Sequence, residues 1–451
     1  MGLTGIQIYK LLPKTNCKEC GEPTCLAFAM KLAAGKAELA KCPYVSDEAK
    51  EQLSEASAPP IRGITLGTGE NAFKIGEEVV LYRHEKTFVN QPGYGILITD
   101  TMDDTEVEAK IKRLNEMFFE RVGLTLTADF AALKNESGDP SKFESLTQKV
   151  MGLTQKALVL ISENVDALSA AGKVAKDRRP LLYAATKENA DQVGALAKEL
   201  GVPVAAKANG LDELIELSEK LTSIGLKDIV LDPGNRKLKD LYADLHFHRR
   251  AALKDKFKPL GFPFITFPNE MTDDPMKEAL YAAIFVAKYA GLIVLSDLDA
   301  HRMLPLTVQR LNIYTDPQRP MIMEQGIYEI NKPDKSSPVL LTTNFALTYF
   351  IVSAEIEASR VPSWLLVMDT EGLSVLTAWS AGKFVADAIA PFVKKSGIEE
   401  KVDHRNIIIP GYVAQISGEL EEELGGDWKV VLGTREASDI PAFLRTYASK
   451  G

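Results

Sequence analysis

The chain has 451 residues and a formal charge of −9 at neutral pH, with 45% apolar and 25% charged residues. That is the balance of an ordinary globular protein long enough for about three domains. It leaves no basic patch for nucleic acid and no apolar run of membrane-spanning length. DNA, RNA and the bilayer are therefore excluded as partners, and cytoplasmic residence in a reducing compartment is expected.

All four cysteines lie in the first 42 positions, as Cys17, Cys20, Cys25 and Cys42. Four thiolates suffice to close the shell around one metal centre. Three of them fall within nine residues, and Cys42 stands directly before Pro43. Structural zinc sites usually pair their thiols as two close couples, whereas a Cys-Pro closes many iron–sulfur ligand runs. The spacing favours a [4Fe–4S] cluster over zinc, and over two disulfides, since the chain carries no mark of a secreted scaffold. Short helices are expected at Gly5–Leu12 and around Leu26–Ala33. A module of residues 1–58 has too little core of its own, and a thiolate-bound cluster would supply the missing stability. After it, Ala56–Gly69 reads as a linker, stiffened by Pro59 and Pro60 and loosened by its glycines. Val79–Arg83 reads as a hairpin beneath the domain that follows.

From Gly93 to Arg319, short apolar runs alternate with helical patterns. The expected strands are Ile96–Thr99, Leu124–Thr127, Ala157–Ile161, Leu181–Ala184, Val202–Ala206, Asp228–Asp232, Phe264–Phe267 and Leu292–Ser296, each buried on both faces. Helices are expected over Glu106–Arg121, Asn189–Leu200, Leu211–Ser223 and Pro275–Tyr289. Eight strands with helical crossovers predict a (β/α)8 TIM barrel over 93–320, with 59–92 as linker and floor hairpin; a doubly wound sheet is the rival. Barrel active sites sit at strand C-termini, which makes Asp100, Asp129, Ser162, Lys207, Asp232, Asn269, Asp297 and Asp299 candidates. Asp232-Pro233-Gly234-Asn235 is the most suggestive, able to meet a pterin-like ring. Without a metal motif or an acid–base pair, helix capping is the preferred reading, and the barrel is expected to be a scaffold or docking surface.

Residues 321–451 form a third block. Apolar runs at Val339–Leu341, Trp364–Met368, Asn406–Ile409 and Trp428–Leu432 alternate with helices over Phe345–Ala358, Lys383–Lys395, Ser417–Leu424 and Ile440–Tyr447. This predicts a small open α/β, Rossmann-like domain, which binds ligands beyond the carboxyl ends of its strands. The loops there, Thr342–Asn344, Asp369–Gly372, Pro410–Tyr412 and Gly433–Glu436, are rich in Gly and Thr. They suit a large, flat, amide-decorated ligand better than a compact anion, and no GxGxxG or P-loop lysine points to a nucleotide.

Taken together, the Cys17/Cys20/Cys25/Cys42 run with Thr24–Ala29 and Cys42-Pro43-Tyr44, the barrel, and Thr370–Trp379 resemble one family over the whole length. It is the large subunit of the corrinoid iron–sulfur protein of the acetyl-CoA (Wood–Ljungdahl) pathway. Its archaeal relative is the gamma subunit of the acetyl-CoA decarbonylase/synthase complex. The resemblance implies an N-terminal [4Fe–4S] domain, a central barrel and a C-terminal corrinoid-binding domain, paired with a smaller barrel subunit as a heterodimer. It also implies methyl transport. A cobalamin-type corrinoid accepts a methyl group from methyltetrahydrofolate through a separate methyltransferase and donates it to acetyl-CoA synthase. The cluster, fed by a ferredoxin or reductive activator, returns inactive Co(II) to Co(I), and the linker would let it approach the cobalt only when needed.

On this resemblance the corrinoid contacts are expected at Thr370, Gly372, Ser374, Thr377 and Ala378 for the lower axial face and ring edge. Thr342, Thr343, Gly411, Tyr412, Ser417, Gly433 and Thr434 are expected along the rim. Ser374 and Thr377 also suit a helix start. Asp-x-His-x-x-Gly, which ligates cobalt in many corrinoid proteins, has only near misses, at Asp244–Arg249 and Asp299–Leu304, and His404 directly follows Asp403. The corrinoid is thus expected base-off, with no histidine ligand from this chain. Two rival functions stay open: a pterin-dependent methyltransferase with its catalysis in the barrel, and a cluster-bearing electron-transfer module without corrinoid.

Overall fold

In this computed structural model the described residues are 4–33, 37, 39–46, 49–50, 53, 59–121, 124–316 and 321–449. The start of the expected linker, residues 56–58, lies outside them. Its later part is ordered: Ile64–Leu66 (β1) and Phe73–Ile75 (β2) pair as an antiparallel hairpin. The floor hairpin is therefore here and not at Val79–Arg83, which forms no strand. The reason is apolar alternation: Ile64, Leu66 and Ile75 are buried in one cluster with Ala157, Leu181 and Phe130, and Phe73 stacks on Phe130.

Next come Gly93–Thr99 (β3), Phe118–Arg121 (β4), Leu124–Thr127 (β5), Phe130–Lys134 (β6), Ala157–Ile161 (β7), Leu181–Ala185 (β8), Val204–Lys207 (β9), Ile229–Asp232 (β10), Phe264–Thr266 (β11) and Ala290–Leu295 (β12). Eight of them, β3 and β6–β12, close a parallel barrel. Leu124–Thr127 is not among these; it pairs with β4 in a separate hairpin, and Phe130–Lys134 takes the barrel position between β3 and β7. The helix expected to reach Arg121 ends at Glu116, where Met117 turns extended and the aromatic Phe118-Phe119 pair enters a strand. Helix starts are marked by side chains: Asp139 and Asp274 each accept two backbone amides and each precede a proline fixed for the first helical turn.

The C-terminal sheet has five strands, Gly326–Ile330 (β13), Val339–Thr343 (β14), Ser363–Met368 (β15), Asn406–Ile409 (β16) and Lys429–Leu432 (β17). Their order is β13-β15-β14-β16-β17, parallel except for the antiparallel edge strand β13. The chain packs as two compact units, Met1–Met117 with Ala128–Tyr314, and Phe118–Thr127 with Thr315–Gly451. The β4–β5 hairpin thus belongs to the second unit, where the Arg121 guanidinium lies 5.9 Å from the centre of the Phe350 ring. Among the described residues no helix is long and apolar enough to cross a membrane.

One buried group gives the barrel a pH dependence. His248 is 1% exposed and donates from Nε2 to the Phe262 carbonyl at 2.8 Å. Burial, with the nearby Arg249 charge, pushes its pKa down to about 3. Between that value and the ordinary histidine range near 6.5, the unfolded chain binds a proton that the folded chain refuses, so stability falls as pH drops through this window. Urea unfolding should lose up to about 1.4 kcal/mol per pH unit below about pH 6 from this residue. A His248→Leu variant should show a shallower slope than the parent; equal slopes would disprove the assignment.

Candidate functional site

The N-terminal module gathers the thiols around a small core. Thr4 caps the helix Gly5–Leu11 through a reciprocal pair with Gln7, and a second helix, Cys25–Ala33, begins at the third cysteine. Cys25 and Cys42 are buried among Ile8, Leu12, Phe28 and Val45, and Cys20 packs against them half-buried. Cys17 is exposed. Asn16 ties the run together: its Oδ1 accepts the Cys25 amide at 2.8 Å, and its own N–H donates to Cys25 Sγ at 3.4 Å. Lys14, Asn16, Lys18 and Gly21 all take left-handed backbone angles. Tyr44 donates to Glu19 at 2.8 Å. That bond and the Glu19 charge chiefly push its phenol above the usual range.

All four cysteines are free. Among the described residues no three His, Cys, Asp or Glu side chains are gathered at metal-holding distance. The fit to an iron–sulfur cluster rests on the donor set: four thiols in one short module, three sharing a core, with the Asn16 amide on the sulfur of one of them.

The second centre lies where the C-terminal sheet reverses. The chain runs from β14 outward to β15, then returns to place β16 on the other side of β14. Loops leaving β14 and β16 therefore diverge, and open α/β sheets bind ligands at such a switch point. A cleft of about 310 Å³ lies there. Its walls are apolar: Leu340 and Leu341 of β14, Ile408 and Ile409 of β16, Ile351 and Val352 of the helix Ala346–Ser359, and Ile440 and Phe443 of the helix Ile440–Ala448. Of the expected corrinoid contacts, Thr342, Tyr412, Gly433 and Thr434 of the rim and Ser374 of the lower-face set line it. Thr342 and Thr343 are buried with hydroxyls that have no hydrogen-bond partner. An unpaired buried hydroxyl costs about 1–3 kcal/mol, so that of Thr342, which lines the cleft, is open to a ligand's polar groups; Thr343, the next residue on the strand, does not line it.

The remaining expected residues stand behind the cleft. Thr370 and Gly372 belong to a loop organised by Asn344, which is 1% exposed. Asn344 Oδ1 accepts the amides of Thr370 and Gly372, both at 3.0 Å, and its Nδ2 donates to Asp369 at 2.8 Å. Gly372 adopts φ +74°, which favours glycine. Ser374 and Thr377 share a hydroxyl–hydroxyl bond of 3.0 Å at the start of the short helix Val375–Ser380, and Ala378 is fully buried in the core beneath. Gly411 is a close-approach glycine: an added Cβ would come within 2.7 Å of the Gly433 carbonyl oxygen, and its amide donates to the Thr434 carbonyl. Ser417 opens the helix Ser417–Glu423. Sequence reasoning passed over the apolar walls and the role of Asn344. Leu347 and Ile351, exposed on a helix apolar on every side, were the available signal.

In the barrel, the polar strand-end residues other than Asn269 are held by side-chain or backbone partners. Asp129 corrects an expectation: it precedes β6, so it lies at the N-terminal end, bound to Arg310 at 2.5 Å and to the Tyr94 amide. Asp100 accepts from Asn135, Ser137 and two amides, and Ser162 donates to Asn135. Lys207 meets Glu163, Asp297 meets Arg113, and Asp299 meets Arg302. Asp232 is fully buried and holds Arg236. Asn269 Oδ1 is buried without a partner.

A family model described as CO dehydrogenase/acetyl-CoA synthase delta subunit matches residues 63–444, and a second, an Fe-S cluster model, matches residues 12–44. The corrinoid/iron-sulfur protein large subunit of Moorella thermoacetica is 46% identical over 99% of both chains. The acetyl-CoA decarbonylase/synthase complex subunit gamma is 36% identical in Methanothermobacter thermautotrophicus, over 100% of both chains, and 37% identical in Archaeoglobus fulgidus, over 97% of both.

Proposed function

Because the chain belongs to the family that joins the corrinoid/iron–sulfur protein large subunit to the gamma subunits of the acetyl-CoA decarbonylase/synthase complex, we propose that it is a methyl carrier of the acetyl-CoA pathway. In this reading residues 321–451 hold a corrinoid, and residues 1–58 hold a [4Fe–4S] cluster. The observation that carries it is the switch-point cleft, apolar in its walls and edged by the unpaired hydroxyl of Thr342. A corrinoid bound there supplies a cobalt that accepts and passes on a methyl group, and the cluster supplies single electrons.

The residues divide that work. Leu340, Ile351, Val352, Ile408 and Phe443 keep water from an inserted apolar group. Thr342, Ser374 and Thr434 offer hydroxyls to the amides that edge such a cofactor, and Asn344 holds the Asp369–Gly372 loop in place for them. Cys17, Cys20, Cys25 and Cys42 supply the thiolates, and the Asn16 amide points at one of them.

The cofactor's base is proposed to stay off the cobalt, with no histidine from this chain in its place. His404 supports this. It precedes β16, at the other end of that strand from Pro410, and its ring is engaged: Nε2 with the Ser337 carbonyl, Nδ1 with the Asn406 amide. The proposed partners are a smaller subunit, a methyltetrahydrofolate methyltransferase, acetyl-CoA synthase, and a ferredoxin or reductive activator.

Metal analysis with an anaerobic reductive titration tests the reading. About four irons and one cobalt per chain, with a base-off Co(II) signal, are expected. Iron without cobalt, after cobalamin is offered, would leave only an electron-transfer module.

A further inference from the structure

The floor of the barrel, at the end of β7 where that strand begins, holds a groove that the methyl-carrier reading does not use. Its volume is about 360 Å³. It is walled by Asn71 from the turn of the floor hairpin, by Asn115 and Leu153 from the last turns of two helices, and by Thr154, Gln155 and Lys156 just before the strand.

The backbone that carries Lys156 is fixed from several sides. Arg178 donates from Nη2 to the Thr154 and Lys156 carbonyls at 2.9 and 2.8 Å. The Lys156 amide donates to the Thr154 hydroxyl at 3.1 Å, and that hydroxyl donates to Asn115 Oδ1 at 2.6 Å. Asn115 Nδ2 completes the set by donating to the Leu153 carbonyl at 2.9 Å. The end of the lysine side chain has no such anchor. Among the described residues its ammonium has neither a hydrogen-bond nor an ion-pair partner, although Lys156 is half-buried. The carboxylate whose charge reaches it, Asp129, is already bound to Arg310 at 2.5 Å. Burial holds the amine below the usual lysine pKa; Asp129 opposes this and Arg310 adds to it.

Lys110 shows the other fate of a buried lysine. Its amine is also lowered by burial, but its Nζ donates to the Ser296 carbonyl at 2.6 Å and the Leu97 carbonyl at 3.3 Å. It is 8% exposed and out of reach of a reagent. Lys156 combines a partnerless amine with an open groove, which is what a nucleophile requires.

We propose that Lys156 is a site of acyl modification, taking an acetyl or similarly short acyl group from a thioester, with the groove receiving the acyl chain. The Nζ lone pair attacks the thioester carbonyl carbon, so that a C–N bond forms and the C–S bond breaks. The leaving thiolate takes up the proton that the nitrogen sheds, and nothing is oxidised or reduced. The product is a neutral amide, which removes a half-buried charge and faces the carboxamides of Asn71 and Gln155. An amine held in this way reacts faster than a solvated one: about tenfold more free base costs a nucleophile only about threefold in intrinsic reactivity, on the slope known for thiols.

Peptide mass spectrometry of the full chain after incubation with acetyl-CoA at about pH 8 tests this, independently of cobalt or iron content. Lys156 should be acetylated at least about threefold more than Lys112 and Lys335, whose side chains are 69% and 68% exposed, and Lys110 should stay unmodified. In urea the preference for Lys156 should vanish. A Cβ added to Gly152, which also lines the groove, meets nothing within 4 Å, so G152F fills the groove without a clash. That variant should lower labelling of Lys156 at least about threefold and leave Lys335 unchanged. Lys156 labelled no more than the exposed lysines, a preference that survives in urea, or equal labelling of Lys156 in G152F and the parent overturns the proposal.

Discussion

Replacing Cys42 with serine should drop the iron content from about four per chain to below one, while cobalt stays unchanged. Cys42 is 4% exposed and stands just after the 3-10 turn Leu39–Lys41, against Cys25, Phe28 and Val45. It is the thiol that closes the run from the far side of the module, and serine is a poor ligand for iron. A module this small owes most of its folding free energy to the metal–thiolate bonds, so the variant should also become sensitive to protease within residues 4–46. Iron analysis and limited proteolysis read the two effects separately. Retention of all the iron would remove Cys42 from the ligand set.

Asn344→Ala should act at the other centre, lowering bound cobalt at least tenfold and leaving iron intact. The amide side chain, 1% exposed, satisfies two backbone N–H groups and the Thr370 hydroxyl with one oxygen. Each stranded amide costs about 1–3 kcal/mol, and 1.4 kcal/mol is already a factor of ten. The loop would release in place of bearing that cost. Asn344→Asp keeps the acceptor but sets a second carboxylate against Asp369 and should fail in the same direction. Cobalt content unchanged in both variants would show that the Asp369–Gly372 loop does not hold the cofactor.

The barrel was legible because its strands are buried on both faces and read as unbroken apolar runs. One member was misread for a local reason. Leu124-Thr125-Leu126-Thr127 has the residues that strands favour, whereas Phe130–Lys134 carries Ala131 and Ala132, which do not. Pairing with β3 and β7 decides membership, and no local window contains that information. Strand β13 escaped notice because Gly326–Ile330 is half-exposed and short, an edge with no continuous apolar stretch. The cysteine run showed itself through spacing alone. The cleft did not: Ile351, Val352 and Phe443 are apolar residues on helices, indistinguishable in sequence from core. Asn344 was visible as part of a rim loop, but only its burial and its three accepted hydrogen bonds mark it as the organiser.

The β4–β5 hairpin has a consequence in time. Phe118–Thr127 packs with Thr315–Gly451, yet it emerges from the ribosome about 190 residues before the rest of that unit begins. At about 5–20 residues per second, the hairpin is synthesised ten to forty seconds ahead of its packing partners. During that interval Phe118 and Leu124, exposed even in the finished protein, are held by nothing but their own two-stranded pairing. The barrel must close around a departing and returning loop before the segment that the loop serves exists. Nascent chains halted between residues 314 and 345 should therefore be the form of this protein most prone to capture by chaperones.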